Sequence, residues 1–569
     1  MASELDIVIR HGTIMDGNGG VPFVGDVGIK DGKITEIGAI SGRGREEIDA
    51  GGLSVTPGFV DIHTHYDGQA MWDSHLAPSS WHGVTTVVMG NCGVGFAPVR
   101  KNTQDAVIAL MEGVEDLPGP CLYEGLDWSW ESFAEYLTAL ERRRHDIDFC
   151  ALLPHAPMRV YVMGERALNL EDANQADIAQ MRQITADAVR AGAFGFSTSR
   201  TIAHKTLAGG LHPGLRAQEN ELMAIAMGLK DAGKGFIEMT SDWNMPDPAT
   251  EFAMMRRVVE ACGRPWVFSL TQRHDGTTAW KDLLELSTQA VSEGLPVRCV
   301  APPRPIGALL GLSGSQNPFA GTRTYKSIAH LPLPQRVAAM RDPDVRAKIV
   351  TEDPNEFNTW SLLGRIGFER MFRFTDPVNY TPAREDSIAA IAAREGRTPQ
   401  DVAYDLLIED EGRDFIFAAL VNYANYDLSA VKEMYSRDHV IPGLSDGGAH
   451  VAFISDASFQ TFLFSYWGRD RGADKMDVPD LVRRQTREPA RFAGLTDRGL
   501  LKPGMKADIN VIDFENLALE RPKMVVDLPA GGRRLMQKAR GYAATVKAGQ
   551  ITYRNGTATG ALPGGLVRS

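Results

Sequence analysis

The chain has 569 residues, 43% of them hydrophobic and 23% charged. This length exceeds that of a domain with one typical core, so we expect one large domain and a smaller one. Its net charge of −12 argues against a nucleic-acid or anionic-membrane partner, because both favour clustered Lys and Arg. The first residues show no secretion-signal pattern and no long apolar run is present, so we expect a cytoplasmic protein whose partner is a small molecule.

Both ends of the chain read as short strands joined by glycine turns. The clearest of these strands lie at residues 5–9, 27–29, 33–37, 500–512 and 544–553. The dipeptide Asp31-Gly32 is typical of a two-residue hairpin turn. We therefore predict that the two chain ends form one sheet assembly.

Between these ends, short apolar runs alternate with helical stretches, which is typical of a parallel α/β sheet. Eight such runs lie at residues 58–63, 84–89, 148–153, 193–197, 235–239, 266–270, 296–300 and 440–445. Eight strands with intervening helices favour a (β/α)8 barrel of the TIM type, which places its active site at the carboxyl ends of the strands.

The connection between the seventh and eighth runs, about residues 302–438, is too long for an ordinary crossover. Its pattern predicts helices at residues 334–350 and 386–410. We interpret this long helical insertion as a structured lid over the barrel.

Two histidines, His63 and His65, end the first barrel strand. Side chains two residues apart on a strand point the same way, and imidazole is the commonest protein ligand for divalent metals. With Asp446, which follows the eighth strand, they are a sufficient set for a catalytic zinc that keeps one position open for water. Two unrelated histidines in a turn, and a simple strand-to-helix turn at Asp446, are the alternative interpretations.

Other polar side chains follow the predicted strands, where a barrel places catalytic residues. They are Cys92, His155, Arg200, Glu238, Arg273, Arg304 and His450. Any one of them alone can be structural, and their joint occurrence is what favours an active site.

At these residues the chain resembles the amidohydrolase superfamily, specifically its D-aminoacylase branch of N-acyl-D-amino-acid deacylases. The resemblance rests on residues 57–65, 83–93 with the motif Gly-Asn-Cys-Gly, 445–447 and 499–511. Members hydrolyse the amide of an N-acylated D-amino acid with zinc, in a barrel flanked by a small β-sandwich built from both chain ends. The resemblance implies a β-sandwich domain of residues 1–57 and 497–569 and a barrel of residues 58–496.

The resemblance also implies roles for four residues. His63 and His65 would bind one metal, and Cys92 would be a ligand shared with a second metal. Asp446 would bind metal and act as general acid and base.

The chain departs from the family pattern at its fifth and sixth strands, where members carry one histidine each. Residues 235–242 and 266–273 contain no histidine at the matching places, and His274 lies two or three residues beyond. The second metal site would therefore lack its nitrogen ligands. We expect about one zinc per chain.

Glu238 has two interpretations, as an oxygen ligand that replaces a missing histidine or as a buried partner of an arginine. His155 and His450 are further imidazoles, and each has three alternative roles, which are to donate a proton, to stabilise an oxyanion or to make structural hydrogen bonds.

An N-acyl amino acid carries a carboxylate, for which a planar guanidinium is the natural bidentate partner. Arg200, Arg273 and Arg304 are the candidates, and each can instead pair with an acidic neighbour. Tyr66, with other aromatic residues near the site, would suit an apolar acyl group or simply contribute to packing.

Hydrolysis of an amide in a small N-acyl compound is the leading hypothesis, and two alternatives stay open. The same scaffold can cleave a C–C bond with its metal as Lewis acid, or can be a catalytically silent scaffold protein. The sequence leaves the oligomeric state open, with a homo-oligomer allowed.

Overall fold

A computed structural model describes residues 5–243, 245, 247–274, 276, 278–354 and 366–569. The chain begins with the strands β1 (Leu5–Ile14), β2 (Phe23–Lys30), β3 (Lys33–Gly38), β4 (Gly44–Asp49) and β5 (Ser54–Pro57). Asp31 and Gly32 join β2 to β3 with φ angles of 51° and 74°, which are the left-handed values that a two-residue hairpin turn of this kind needs.

Parallel strands follow, separated by helices as the alternating pattern predicts. They are β6 (Phe59–Asp61), β7 (Val84–Met89), β8 (Asp148–Ala151), β9 (Leu153–Pro154), β10 (Gly195–Arg200), β11 (Phe236–Ser241), β12 (Trp266–Ser269) and β13 (Val297–Ala301). Strands β6 to β8 pair in chain order, and β9 to β13 pair in chain order in a second sheet. Nearly all their residues are buried, which explains why these strands read as apolar runs without alternation.

The helices between these strands each bury one apolar face. They are α1 (Gln69–Trp72), α2 (Gln104–Glu115), α3 (Gly119–Gly125), α4 (Phe133–Leu140), α5 (His155–Met163), α6 (Glu165–Leu168), α7 (Gln175–Ala191), α8 (Glu219–Ala232), α9 (Ala249–Cys262) and α10 (Ala279–Ser292). In α8 the buried residues Leu222, Ile225, Ala226 and Leu229 show the helical spacing. Among the described residues, no helix has both the length and the apolar character to cross a membrane.

The lid, about residues 302–438, combines strands with helices. Its elements are β14 (Ile306–Leu310), α11 (Arg323–Ile328), α12 (Leu333–Met340), α13 (Pro343–Thr351), β15 (Met371–Arg373), α14 (Ile388–Glu395), α15 (Pro399–Ile408), β16 (Ile416–Val421) and α16 (Ser429–Tyr435). The strands form an antiparallel sheet in the order β14-β16-β15. Residues of this sheet and of the lid helices form a buried apolar cluster of their own, which includes Leu310, Phe319, Val337, Tyr404 and Ile416.

Two predictions about the lid are wrong. Its antiparallel sheet was not expected, because short apolar runs inside a helical pattern are ambiguous. Each of the two predicted helices is in fact a pair. The first breaks where Asp342 caps α13 and Pro343 occupies the first turn, and the second breaks at Gly396, whose φ of 65° ends α14.

After the lid, β17 (Val440–Pro442) pairs with β13 and completes the predicted set of strands. The helices α17 (Phe459–Phe462), which continues as a π-helix over Leu463–Asp470, α18 (Val478–Gln485) and α19 (Arg487–Ala493) follow. The loop after β17 returns to the first strand, because Thr64 and Gly447 form a parallel bridge.

The chain ends in the strands β18 (Ile509–Ile512), β19 (Ala518–Leu519), β20 (Lys523–Val526), β21 (Arg533–Met536), β22 (Ala539–Arg540), β23 (Tyr542–Lys547), β24 (Gln550–Arg554) and β25 (Thr557–Ala558). Strands from both chain ends share one nine-stranded sheet with the order β25-β24-β23-β18-β5-β1-β2-β3, in which β4 pairs with β1. The domain boundaries given above stay predictions.

A buried ionic network joins this terminal sheet to the parallel strands. The Asp148 carboxylate at the start of β8 accepts hydrogen bonds from Arg498 at 2.6 Å, from Lys506 at 2.5 Å and from Lys547 on β23 at 2.7 Å. Lys547, which is fully buried, also contacts Asp508 at 2.7 Å. Burial alone would raise the pKa of Asp148, but these cations hold it below its usual range.

We expect the substitution Asp148→Asn to destabilise the protein by about 3 to 5 kcal/mol, because it removes the carboxylate that three cations share in a buried network. Thermal and urea unfolding of the purified variant measure this loss. Asp127→Asn, at an exposed carboxylate 3.9 Å from Arg142, serves as the matched control and should change stability by about 0.5 kcal/mol or less. Equal stability of the two variants would contradict the prediction.

Candidate functional site

A cavity of ≈ 440 Å³ opens where the parallel strands end. Residues after β6, β7, β11, β12 and β17 line it, together with lid residues of β14 and β16. This is the end of the strands at which α/β folds place their sites. Among the predicted site residues, six line the cavity, namely His63, His65, Cys92, Arg273, Asp446 and His450.

The loop after β7 carries Cys92 to the two histidines. The Cys92 Sγ atom lies 3.4 Å from Nε2 of His63, and one donor atom each of His63, His65 and Cys92 lie within 4.8 Å of one another. The loop turns sharply, since Cys92 has a φ of 55° and Gly90 a φ of 84°. A Cβ atom at Gly90 would lie 2.5 Å from the carbonyl oxygen of Leu152, so this close approach requires glycine.

Asp446 lies next to two of these three potential metal ligands. Its Oδ1 atom lies 3.3 Å from Nε2 of His63 and 3.6 Å from Nε2 of His65. Within the described residues this buried oxygen makes no hydrogen bond of good geometry. Ligands of a tetrahedral zinc lie roughly 3.3 to 3.8 Å apart, since Zn–N, Zn–O and Zn–S bonds are about 2.0 to 2.3 Å. The residues present therefore fit a zinc ion.

Burial determines the protonation of these groups. It lowers the pKa of His63 to about 3, so this imidazole is neutral, as a metal ligand must be. Burial alone would raise the pKa of Asp446, but the neighbouring imidazoles of His65 and His63 hold it below its usual range. Burial raises the pKa of the Cys92 thiol to about 12, so a metal that binds here would displace the thiol proton.

Glu238, on β11, is buried beside His63 and Cys92. Its Oε2 accepts a hydrogen bond from the Cys92 amide at 2.9 Å, and its Oε1 lies 3.6 Å from Nδ1 of His63. Asp446 faces the other nitrogen of the same ring, so Glu238 approaches from a different side. This placement favours orientation of His63 and Cys92 over the predicted role as metal ligand.

The alternative interpretation of Glu238, as partner of an arginine, is not what the structure shows. Arg273 lies 3.4 Å from Asp242, and Arg304 lies 2.8 Å from Asp456. Burial raises the pKa of Glu238 to about 8.

The structure does not bring Arg200 and Arg304 to the cavity. Arg304 is fully buried, and its guanidinium also stacks 3.6 Å from the centre of the Tyr380 ring. Arg200 donates to Glu251 and to the carbonyl oxygen of Ala217, both at 2.7 Å. Because partners within the fold already occupy these guanidinium groups, neither is available to a ligand in the cavity.

His155 and Tyr66 are likewise engaged elsewhere. The buried His155 contacts Thr198 through Nδ1 and Glu221 through Nε2, both at 2.8 Å. Tyr66 is buried and donates to the Ser79 hydroxyl at 2.7 Å. These contacts are the structural hydrogen bonds that the sequence analysis named as the alternative for His155.

Glu115 and His204 also line the cavity, although neither is among the site residues predicted from the sequence. Glu115 is the last residue of α2 and lies among other acidic residues, so the sequence predicts an exposed side chain. In the structure this side chain is buried, and its Oε1 lies 3.2 Å from Nδ1 of His65. No local signal distinguishes it. His204 contacts the Ser199 hydroxyl at 2.8 Å, and its position four residues after β10 is a signal that could have identified it.

Comparisons with known proteins identify the family of the chain. The model of an amidohydrolase family matches residues 46–553. An uncharacterised protein of Mycobacterium tuberculosis is 28% identical over 547 residues, covering 90% of this chain and 85% of its own. The N-acyl-D-glutamate deacylase of Alcaligenes xylosoxydans xylosoxydans is 28% identical over 521 residues, covering 91% of this chain and 89% of its own.

A solved structure shows the same fold. The N-acyl-D-glutamate deacylase of Bordetella bronchiseptica, complexed with zinc and a phosphonate inhibitor that mimics the tetrahedral intermediate, matches with a TM-score of 0.66. The match covers 100% of both chains at 22% identity. The family model spans most of the sequence, and the predicted resemblance is confirmed. The chain therefore belongs to the amidohydrolase family and is a hydrolase of carbon–nitrogen bonds other than peptide bonds.

Proposed function

We propose that the protein hydrolyses the amide bond of a small N-acyl compound, specifically an N-acyl-D-amino acid, with one zinc ion per chain. The observation that carries this proposal is the donor group of His63, His65 and Cys92 in the cavity, with the Asp446 carboxylate beside both imidazoles. The deacylase names of the relatives support the substrate class.

His63, His65 and Asp446, with Cys92 next to them, would hold the zinc ion and leave one position for a water molecule, whose pKa the metal would lower to about 7. Asp446 takes up the proton of the attacking water at a carboxylate oxygen. It delivers this proton to the leaving nitrogen as the C–N bond breaks, so that the products are a carboxylate and an amine. His450, which lines the cavity, is the candidate donor of a hydrogen bond to the carbonyl oxygen as that atom gains charge.

The cavity wall suits a substrate with one anionic and one apolar end. Among the lining residues that the structure describes, Arg273 is the only basic residue other than histidine, and its side chain is 34% exposed. The lid contributes Ile306, Leu420 and Val421 to the same cavity. Arg273 would bind the substrate carboxylate while these apolar side chains contact the rest of the molecule and exclude water.

The proposal of a single metal rests on the residues of β11 and β12, the fifth and sixth strands of the predicted barrel. Thr240 on β11 and Ser269 on β12 line the cavity there, with their hydroxyl oxygens 3.3 Å apart. Hydroxyl groups are not among the usual zinc ligands. In the described part of the chain, His63, His65 and Cys92 are the group of three donors close enough to share an ion.

We also propose that β6 to β13 and β17, with β8 and β9 together as the third strand, close into a (β/α)8 barrel over residues 58–496. The strand order and the bridge between Thr64 and Gly447 support this closure. Residues 1–57 and 497–569 would be the flanking β-sandwich domain.

We expect about one zinc per chain in the purified protein and its loss in His63→Ala, because removal of one imidazole breaks the donor set. Elemental analysis of the wild type, His63→Ala and Cys92→Ala measures this. His330→Ala, at an exposed histidine of the lid, is the matched control and should keep its zinc. About two zinc ions per chain would contradict the single-metal proposal.

We expect the wild type to release amine and carboxylate from N-acetyl-D-leucine, and Arg273→Met to lose about tenfold or more in kcat/KM. The loss follows from removal of a charge-assisted hydrogen bond to the substrate carboxylate. N-acetyl-D-leucinamide, which lacks this carboxylate, is the control substrate and should be affected little. Equal losses on both compounds would exclude carboxylate binding by Arg273, and absence of amine from both with the wild type would exclude the proposed reaction.

A further inference from the structure

Glu115 occupies an unusual position for an acidic residue at the end of a helix. Its side chain is 1% exposed, and its Oε1 lies 3.2 Å from Nδ1 of His65. Its Oε2 lies 3.8 Å from Nε2 of His450. The carboxylate therefore lies between two imidazoles that line the cavity, and no requirement of helix formation accounts for this burial.

The two nitrogens of His65 face different groups. Nε2 faces Asp446 at 3.6 Å, which is the side of the proposed metal, while Nδ1 faces Glu115. An imidazole that binds metal through Nε2 carries its proton on Nδ1, and this proton needs an acceptor. Glu115 is placed to be that acceptor, which would fix both the tautomer and the ring orientation.

The backbone around Glu115 joins further parts of the site. The His450 amide donates to the Glu115 carbonyl oxygen. The next residue, Asp116, has a φ of 54°, and its Oδ2 accepts from the Ser315 hydroxyl of the lid at 2.7 Å and from the Ala452 amide at 3.3 Å. Glu115 and Asp116 thus contact the lid, the loop that carries Asp446 and, through His65, the segment that follows β6.

We propose that Glu115 is a positioning residue that orients His65 for metal binding and holds the Asp446 loop in register with it. This inference rests on the proposed metal-dependent function, but it concerns the affinity for the ion and does not depend on the substrate.

The test compares Glu115→Ala and Glu115→Gln with the wild type after the metal has been removed. The dissociation constant for Zn²⁺ is measured by competition with a chelator, and the visible spectrum of the Co²⁺ form reports the ligand geometry. Glu124→Gln, at an exposed residue of α3, is the control. Thermal unfolding of the metal-free proteins is measured in parallel.

We expect Glu115→Ala to weaken Zn²⁺ binding by about 10- to 100-fold and to change the Co²⁺ spectrum. Glu115→Gln, which keeps an acceptor oxygen of the same shape, should fall between this variant and the wild type. A purely structural role would instead lower the unfolding temperature and leave the dissociation constant unchanged, and this result would overturn the inference.

The two proposals fail in different ways. A wild type that binds zinc but releases no amine from N-acyl-D-amino acids would contradict the proposed reaction and leave the role of Glu115 intact. Folded Glu115 variants with the zinc affinity of the wild type would contradict the role of Glu115 alone. A wild type without zinc affinity would overturn both.

Discussion

The site depends on one backbone pairing, between the residues that follow β6 and the loop that follows β17. The His65 amide donates to the Gly447 carbonyl oxygen at 2.7 Å, next to the bridge between Thr64 and Gly447. The approach is so close that a Cβ atom at Gly448 would lie 2.6 Å from the carbonyl oxygen of His65. This pairing holds Asp446 beside two imidazoles from which it is far apart in sequence.

A second constraint is electrostatic. Glu115 and Glu238 are buried near His63 and His65, and the Asp446 side chain beside them is 13% exposed. Burial raises the pKa of Glu115 to about 7 and that of Glu238 to about 8, although the charge of His65 opposes both shifts. Carboxylates concentrated in a poorly solvated region need compensating positive charge. A divalent cation among the donors would supply it.

The lid sheet borders both an apolar cluster and the cavity. Its apolar cluster includes Leu310 and Ile416, while Leu309 and Phe417 of the same sheet belong to the main core, so the lid sheet packs between the lid helices and the main core. The same sheet presents Ile306 and Leu420 to the cavity. Changes in these side chains can alter the shape of the cavity without touching the donors on its floor.

The sequence by itself determined the positions of the parallel strands and the family, and it identified the candidate donors. These features depend on local signals, namely apolar runs, two histidines one residue apart, and polar residues directly after strands. Only the tertiary structure decided which of the polar residues share a cavity. His155 and Arg304 follow strands just as Arg273 does, yet partners distant in sequence bury them, whereas Glu115 reads as exposed and is buried against His65. Burial and pairing depend on segments that meet only in the folded chain, so no local pattern predicts them.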